Sequence, residues 1–396
     1  KIPKFFMRPR NYLYSVLFLS SSLLLLVMLT NILIDPRGLY GYSLDQFSNS
    51  SYSDRLGDRL NSGSNAVTIN EFAYDARRFK YNKIFFERRQ EFDCIVFGSS
   101  HVNQFSSLPT LKALDYSCNN ILNLSFPGTS IEDYLASSYL LLQNKLPSQK
   151  LFFSVAPSLF SDNGSINMLW LKNFQWVLEM NSQLSNKITI QDPYASLGKN
   201  LFNAAYFKNS LTRLFSSVED SYEIQNPKFI EGHDHTVMLR DGSIIYSQEY
   251  VAKKARTPVQ PMPEIIFNSN ASIGGESSKS AKIGLLHLDQ NGLLYSVDLF
   301  ETFRELLMML RQGGYDINLV LTPIHPAIYF DSPNAAFTKS LKQVEAKLIS
   351  LSAAEGIPLH GSYNPKDVGC NAEEYYDTTH IMYSCISKIK LVDTIF

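Results

Sequence analysis

Net charge is almost absent from this sequence: 36 Lys and Arg stand against 37 Asp and Glu. No dense basic stripe breaks that balance, which excludes the electrostatic footprint of a nucleic-acid-binding protein. Cysteine is scarce, and the four present, Cys94, Cys118, Cys370 and Cys385, never fall in a CxxC pair, so their spacing matches no zinc site. Internal repeats are missing, which excludes a solenoid or propeller. Long hydrophobic runs are rare, and a single one stands out. What the chain does have is 45% hydrophobic and 13% aromatic residues, enough to bury a substantial core. Its 396 residues admit one large domain or two ordinary ones.

The one long apolar run, "NYLYSVLFLSSSLLLLVMLTNILI", extends from Asn11 to Ile34 without a charge. At about 1.5 Å per residue it is long enough to cross a hydrocarbon core of about 30 Å. Lys1, Lys4, Arg8 and Arg10 precede it, and Asp35 and Arg37 follow. The positive-inside bias therefore predicts a cytoplasmic tail over 1–10, a transmembrane anchor over 11–34 and everything later outside. A cleaved signal peptide is the alternative, but its apolar core is usually shorter and no small-x-small site precedes Asp35. Outside the cytoplasm the cysteines meet a compartment that permits disulfides. Cys94, in an apolar strand, reads as packed; a bridge among Cys118, Cys370 and Cys385 is open, with free buried thiols as the other reading.

Residues 35–70 are polar and turn-rich and read as a stalk that packs onto the domain. The chain becomes periodic near Glu71, where a helix of about fifteen residues ending before Glu91 is expected, then strands at 92–98, 121–126 and 150–157. The helix between the last two begins behind Ser130, with Glu132 and Asp133 in its first turn. Alternation breaks off over an insert at about 158–282, mostly helical, with one hairpin expected around Asp241-Gly242. It resumes with a helix ended by Gly313-Gly314, a strand at 317–326, a helix over 336–354, a short strand near "IPLH" and a final helix from about Ile381. The sum is an α/β domain over 71–396: a doubly wound, flavodoxin-like parallel sheet of about five strands. Such sheets place their sites at the carboxyl ends of the strands. There the segments "GSSH", "PGTS", "VAPS" and "TPIHP" fall.

A serine nucleophile needs a base within hydrogen-bond reach and a group that orients the base. "DCIVFGSSH" offers Ser99 and Ser100; a polar turn capping a helix is the plainer reading of that stretch. Among seven histidines, His380 stands three residues after Asp377 in "DTTH", a spacing that puts both side chains on one side of a tight turn. His101 and His325, in "TPIHP", are candidates to touch substrate, although a hydrogen-bonded loop histidine explains His325 as well. His233, Asp234 and His235 resemble a metal cluster but have no third ligand at a fixed spacing, so no metal is expected. Nothing in the sequence calls for a cofactor. Trp170 and Trp176 could stack on sugar rings, but their apolar helix fits a core position better.

Strand-Gly-x-Ser near the start of the domain, a glycine loop after the second strand and Asp-x-x-His before the last helix together resemble the SGNH/GDSL hydrolase superfamily. The resemblance covers roughly residues 91–157 and 315–396. It implies Ser100 as nucleophile, with Ser99 in the position often filled by Asp, and Asp377 and His380 as acid and base. The oxyanion amides would come from Ser100 and Gly128. The family's third block normally brings an Asn to the oxyanion hole, whereas here the strand runs into "VAPSLFSDN" and the nearest Asn, Asn163, comes several residues late. The anchor, the "IDPRGLYG" segment behind it and the Gly-Ser-Ser turn further resemble the membrane-anchored SGNH-like proteins of bacterial envelope modification. These include the D-alanyl transfer protein of teichoic acid synthesis and periplasmic exopolysaccharide acetyltransferases. That resemblance implies a single-pass protein of the bacterial cytoplasmic membrane with its domain in the periplasm or outside. It also implies a polysaccharide or glycan acceptor, a membrane-bound O-acyltransferase as partner, and acyl transfer as the reaction. An esterase of the same fold or an inactive scaffold are the alternatives.

Overall fold

The computed structural model describes residues 9–34, 66–68, 92–106, 118–126, 128–144, 150–160, 171–190, 198, 201–215, 236–246, 296–330 and 335–390. Helix α1 (Pro9–Ile34) holds the apolar run, with proline at its first position, where a missing N–H costs nothing. Its segment Asn11–Ile34 is long and apolar enough to cross a membrane. The helix expected to end before Glu91 and the loop at 258–282 lie outside the described residues, as do Asn163, Trp170, His233 and His235.

Strand β1 (Ala66–Thr68) comes next, then β2 (Cys94–Phe97), β3 (Ile121–Asn123), helix α2 (Ile131–Asn144) and β4 (Lys150–Ser154). The insert contributes α3 (Leu171–Gln183), α4 (Ala204–Phe215), β5 (Val237–Leu239) and β6 (Ile244–Ile245). Helix α5 (Val297–Gln312), β7 (Asp316–Leu321), α6 (Pro326–Tyr329), α7 (Ala335–Glu355), β8 (Leu359–Gly361), α8 (Pro365–Val368) and α9 (Tyr383–Ile386) complete the order.

Five strands form one parallel sheet in the order β3-β2-β4-β7-β8. The chain moves outward from β2 to β3, then returns to place β4 on the other side of β2, so the carboxyl end of β2 borders a switch point. Side chains alternate across the sheet. Ile95, Phe97, Leu151, Phe153, Leu319 and Leu321 share one core with α2, α3, α5 and α7. Cys94, Val96, Phe152 and Val320 pack instead with Val102, Phe105, Ile381 and Ile386. Burial on both faces is what continuous apolar runs such as "CIVF" require.

Local sequence explains the element ends. The Ser130 amide donates to the Asp133 carboxylate (3.0 Å) ahead of α2. Ser296 caps α5, which stops where Gly314 takes a left-handed conformation, φ 91°. Trp176 packs against the core from α3.

Three expectations change. The hairpin expected around Asp241-Gly242 forms from β5 and β6, but it is not alone: β1, from the end of the stalk, pairs antiparallel with β5 and makes a three-stranded sheet. The final helix is a single turn, because the chain then extends and the Lys390 carbonyl accepts from the Gly361 amide (2.9 Å). The cysteines are neither free nor merely packed: Cys94 bridges Cys118 and Cys370 bridges Cys385, with Cα atoms 5.7 and 5.3 Å apart. Cys94 shows why its strand setting misleads, since a fully buried strand residue is still free to meet the chain entering the neighbouring strand.

Candidate active site

Beyond β2 the backbone reaches Gly98, where a Cβ would stand 2.7 Å from Ser154 Cβ and from a Val102 methyl. Only glycine allows β2 to turn so close to β4. Ser100–Val102 then forms one 3-10 turn, and the buried Ser99 caps it, its Oγ accepting from the His101 amide (3.4 Å). The two serines thus separate: Ser99 closes the turn and Ser100 projects from it.

Ser100 Oγ lies 2.6 Å from His380 Nε2. The opposite ring nitrogen, Nδ1, lies 2.8 and 2.9 Å from the two carboxylate oxygens of Asp377. Because a carboxylate only accepts, Nδ1 carries the proton and Nε2 is left as acceptor for the Ser100 hydroxyl. Asp377 Oδ1 also accepts from the amides of Thr379 (3.0 Å) and His380 (2.9 Å), so the Asp-x-x-His turn fixes its own carboxylate. Burial by itself would raise the Asp377 pKa. The hydrogen bond and charge of His380, with the two amides, outweigh it and hold the group well below the ordinary carboxylate range.

Gly128 adopts a left-handed conformation, φ 65°, in the loop after β3. That loop is tied to the segment leading into the Ser100 turn: the Gly98 carbonyl accepts from the Phe126 amide (2.9 Å) and from Thr129 Oγ1 (2.5 Å). Among the described residues no acceptor takes the Ser100 amide. An unused N–H beside a hydroxyl–imidazole pair is the donor an oxyanion requires.

His101 packs edge-on to the His380 ring, centroids 5.5 Å apart, and its Nδ1 lies 3.2 Å from Thr322 Oγ1. Burial, then the charge that His380 carries whenever it is protonated, push its pKa down to about 3, so His101 remains neutral beside the Ser100–His380 pair. His325 takes a supporting place. Its Nδ1 accepts from the Ala327 amide (3.1 Å) and caps α6, while its own amide donates to the Thr378 carbonyl (3.1 Å). Its buried ring rests 5.1 Å from that of Tyr375. The sheet's carboxyl edge therefore brings Ser100, His101, Asp377 and His380 together, with the Gly128 loop tied beside them and His325 behind the acid–base turn.

Sequence reasoning overlooked the residues that hold the Ser100 turn. Asn123 donates to the carbonyls of Val102 (2.7 Å) and Phe105 (2.9 Å) and accepts from Ser125. Asn103 Oδ1 accepts from Ser125 Oγ (2.6 Å), and Asn103 Nδ2 donates to Tyr246 Oη (3.3 Å). Gln104 reaches Tyr376 Oη (2.8 Å), beside the acid–base turn. Asp241, at the hairpin tip, accepts from Ser106 Oγ and from the Ser243 amide (2.9 Å), and the Ile244 amide donates to the Asn103 carbonyl (2.7 Å). One signal was available: Asn123 and Ser125 interrupt the apolar run "ILNLSF", and buried polar groups require partners.

A serine hydroxyl bonded to a neutral imidazole, itself bonded to a carboxylate held ionised, can deliver an alkoxide-like oxygen to an electrophilic carbonyl. No protein-family model matches this chain, and no curated protein matches it.

Proposed function

We propose that the chain is a membrane-anchored serine acyltransferase of SGNH type, working outside the cytoplasm on a cell-envelope polysaccharide or related glycan. The observation that carries the reading is the Ser100–His380–Asp377 relay, 2.6 and 2.8 Å long, at the carboxyl end of β2. The flavodoxin-like order of the sheet, with Gly-x-Ser after its first strand and Asp-x-x-His after its last, supports the family. Two disulfides support an oxidising compartment, and α1 supports the anchor.

In this reading Ser100 Oγ attacks an ester or thioester carbonyl while His380 Nε2 takes its proton. Asp377 holds the imidazole and stabilises the imidazolium. The amides of Ser100 and Gly128 receive the oxyanion. The leaving group departs with the proton from His380, and a sugar hydroxyl, deprotonated by the same nitrogen, resolves the acyl-serine. A membrane-bound O-acyltransferase is the partner that fits an outward supply of acyl groups. Two other readings divide from this one experimentally.

The test is a fluorophosphonate probe on the detergent-solubilised full chain. Labelling is expected in the wild type and in Ser99→Ala and lost in Ser100→Ala. Absence of labelling in the wild type would favour a scaffold. If the protein labels, acetyl release and acetyl transfer to an oligosaccharide are compared; hydrolysis indifferent to added acceptor would make it an esterase.

A further inference from the structure

The membrane anchor is not a bare tether. Its last two turns, Val27–Ile34, are shielded everywhere but at Leu29 and Leu33, whereas residues 11–26 are exposed throughout. Asn31 is fully buried: Nδ2 donates to the Leu201 carbonyl (2.9 Å) and Oδ1 accepts from Ser210 Oγ (3.1 Å). Both partners belong to the insert, Leu201 three residues ahead of α4 and Ser210 on its inner face. A polar amide inside an apolar run needs such partners, because hydrocarbon supplies none.

Depth follows from length. With the 24-residue span centred in a bilayer, Asn31 lies about 13 Å from the midplane, against a hydrocarbon half-thickness of about 15 Å. Whatever bonds Asn31 side by side must share that level. In α4 Tyr206 and Ser210 are buried, whereas Ala204 and Ala205 in its first turn are exposed, as is Phe202 (56%) just ahead of it. Asn203 caps the helix, accepting from the Ala205 amide (2.8 Å), so the exposed aromatic turn is a built feature.

We infer that residues 201–205, the turn leading into α4 and its first residues, are seated in the outer headgroup–acyl boundary of the membrane beside α1. The insert thereby becomes a second membrane contact, and Asn31 is the bolt that sets the domain's orientation over the bilayer. The occupant of the exposed turn is lipid, because Leu201 beside Phe202 bonds Asn31, which lies within the membrane-crossing span. This rests on α1 being the anchor and is independent of the reaction proposed above.

Single-cysteine variants of the full chain, labelled with the environment-sensitive fluorophore NBD without reductant, test it in phosphatidylcholine–phosphatidylglycerol vesicles. Phe202→Cys and Ala205→Cys report on α4, Phe18→Cys on the middle of α1 and Lys347→Cys on the solvent-exposed side of α7. Lipids bearing a nitroxide at the headgroup level are expected to quench positions 202 and 205 several-fold more than position 347. Deep nitroxides quench position 18. Equal quenching at 202, 205 and 347, with 18 still quenched, overturns the inference and spares the anchor. An unquenched position 18 removes the anchor and the inference together. Blue-shifted but unquenched emission at 202 means protein covers that face, which also overturns it.

Discussion

The two halves of the candidate site are held by different chemistry. Ser100 stands on a turn secured by buried side-chain hydrogen bonds from Asn103, Asn123 and Ser125, and the hairpin around Asp241 braces it from the insert. His380 and Asp377 stand on a segment closed covalently, Cys370 to Cys385, with Lys388 bridging to Glu374 (2.7 Å) and His325 and Tyr375 bonded beneath. The nucleophile half depends on distant chain segments folding around it. The acid–base half is largely local and could lose its tie by reduction alone. A relay only 2.6 Å long needs both halves to keep their place, because small displacements of reacting groups cost large factors in rate.

The largest expected effects come from the relay itself, where the distinction between halves should vanish. Ser100→Ala and His380→Ala should each lower probe labelling or turnover by about 10⁴-fold or more, and the double variant should be no worse than either. Strict additivity would mean that the two groups do not act as a unit. Asp377→Asn should cost about 10⁴-fold by favouring the wrong imidazole tautomer while leaving the fold intact.

The disulfides come next and sharpen the contrast. Replacing Cys370 and Cys385 by Ser should lower unfolding stability by about 3 kcal/mol, read by urea denaturation, and should also slow labelling of the molecules that remain folded. Replacing Cys94 and Cys118 removes a bridge of similar span, 24 residues against 15, with a similar stability cost. Labelling per folded molecule should stay unchanged in that pair. Equal slowing in both variants would remove the special role assigned to the C-terminal bridge.

How much of this was legible in the sequence differs between the halves in the same way. The Asp-x-x-His pair could be read because its two members are three residues apart and bond through one turn. The strand alternation could be read because apolar runs, glycine turns and helix starts are local signals. The bracing of the nucleophile could not, since Asp241 lies 135 residues from the Ser106 it holds. Its hairpin was foreseeable from Asp-Gly, but nothing in a turn motif says what the turn will touch. Cys94 failed for a related reason: pairing is a property of two positions, and an apolar strand advertises only burial. His325 shows that a histidine at a strand end can be taken up as a helix cap, which its Pro326 neighbour hints at and its own identity does not.

Acidification separates the halves by a smaller amount. His101, on the nucleophile turn, has its pKa lowered to about 3 by burial and by the His380 charge, whereas an unfolded histidine titrates near 6.5. Between those values the unfolded chain binds the extra proton, so folding stability falls as pH drops from about 6.5. At pH 5 the loss is about 2 kcal/mol. Asp377, whose pKa is lowered, keeps its stabilising effect above the ordinary carboxylate range and loses it only at lower pH. His101→Gln should therefore flatten the urea midpoint between pH 6.5 and pH 5 while leaving acid unfolding below pH 4 in place. An unchanged slope would show that His101 is solvated rather than buried.

The smallest effect expected is at Asp241, and it tests whether the insert braces the nucleophile at all. Asp241→Asn keeps one acceptor oxygen for Ser243 and turns the other position into a donor facing the Ser106 hydroxyl. The Ser106 hydroxyl must then reverse to accept from the amide, and trading a bond to a carboxylate for a neutral one should cost about 1 kcal/mol. Because Ser106 follows the turn that Asn123 and Asn103 hold, the loss should appear as slower labelling at Ser100, within about tenfold, since 1.4 kcal/mol corresponds to a factor of ten. The acid–base half offers the control: Glu374→Gln weakens the bridge to Lys388 at a partly exposed site and should change neither stability nor labelling by more than a few tenths of a kcal/mol. If both variants behave alike, the hairpin is packing on the domain and no more. If Asp241→Asn alone slows the serine, the insert reaches the site through the one turn that every proposed step uses.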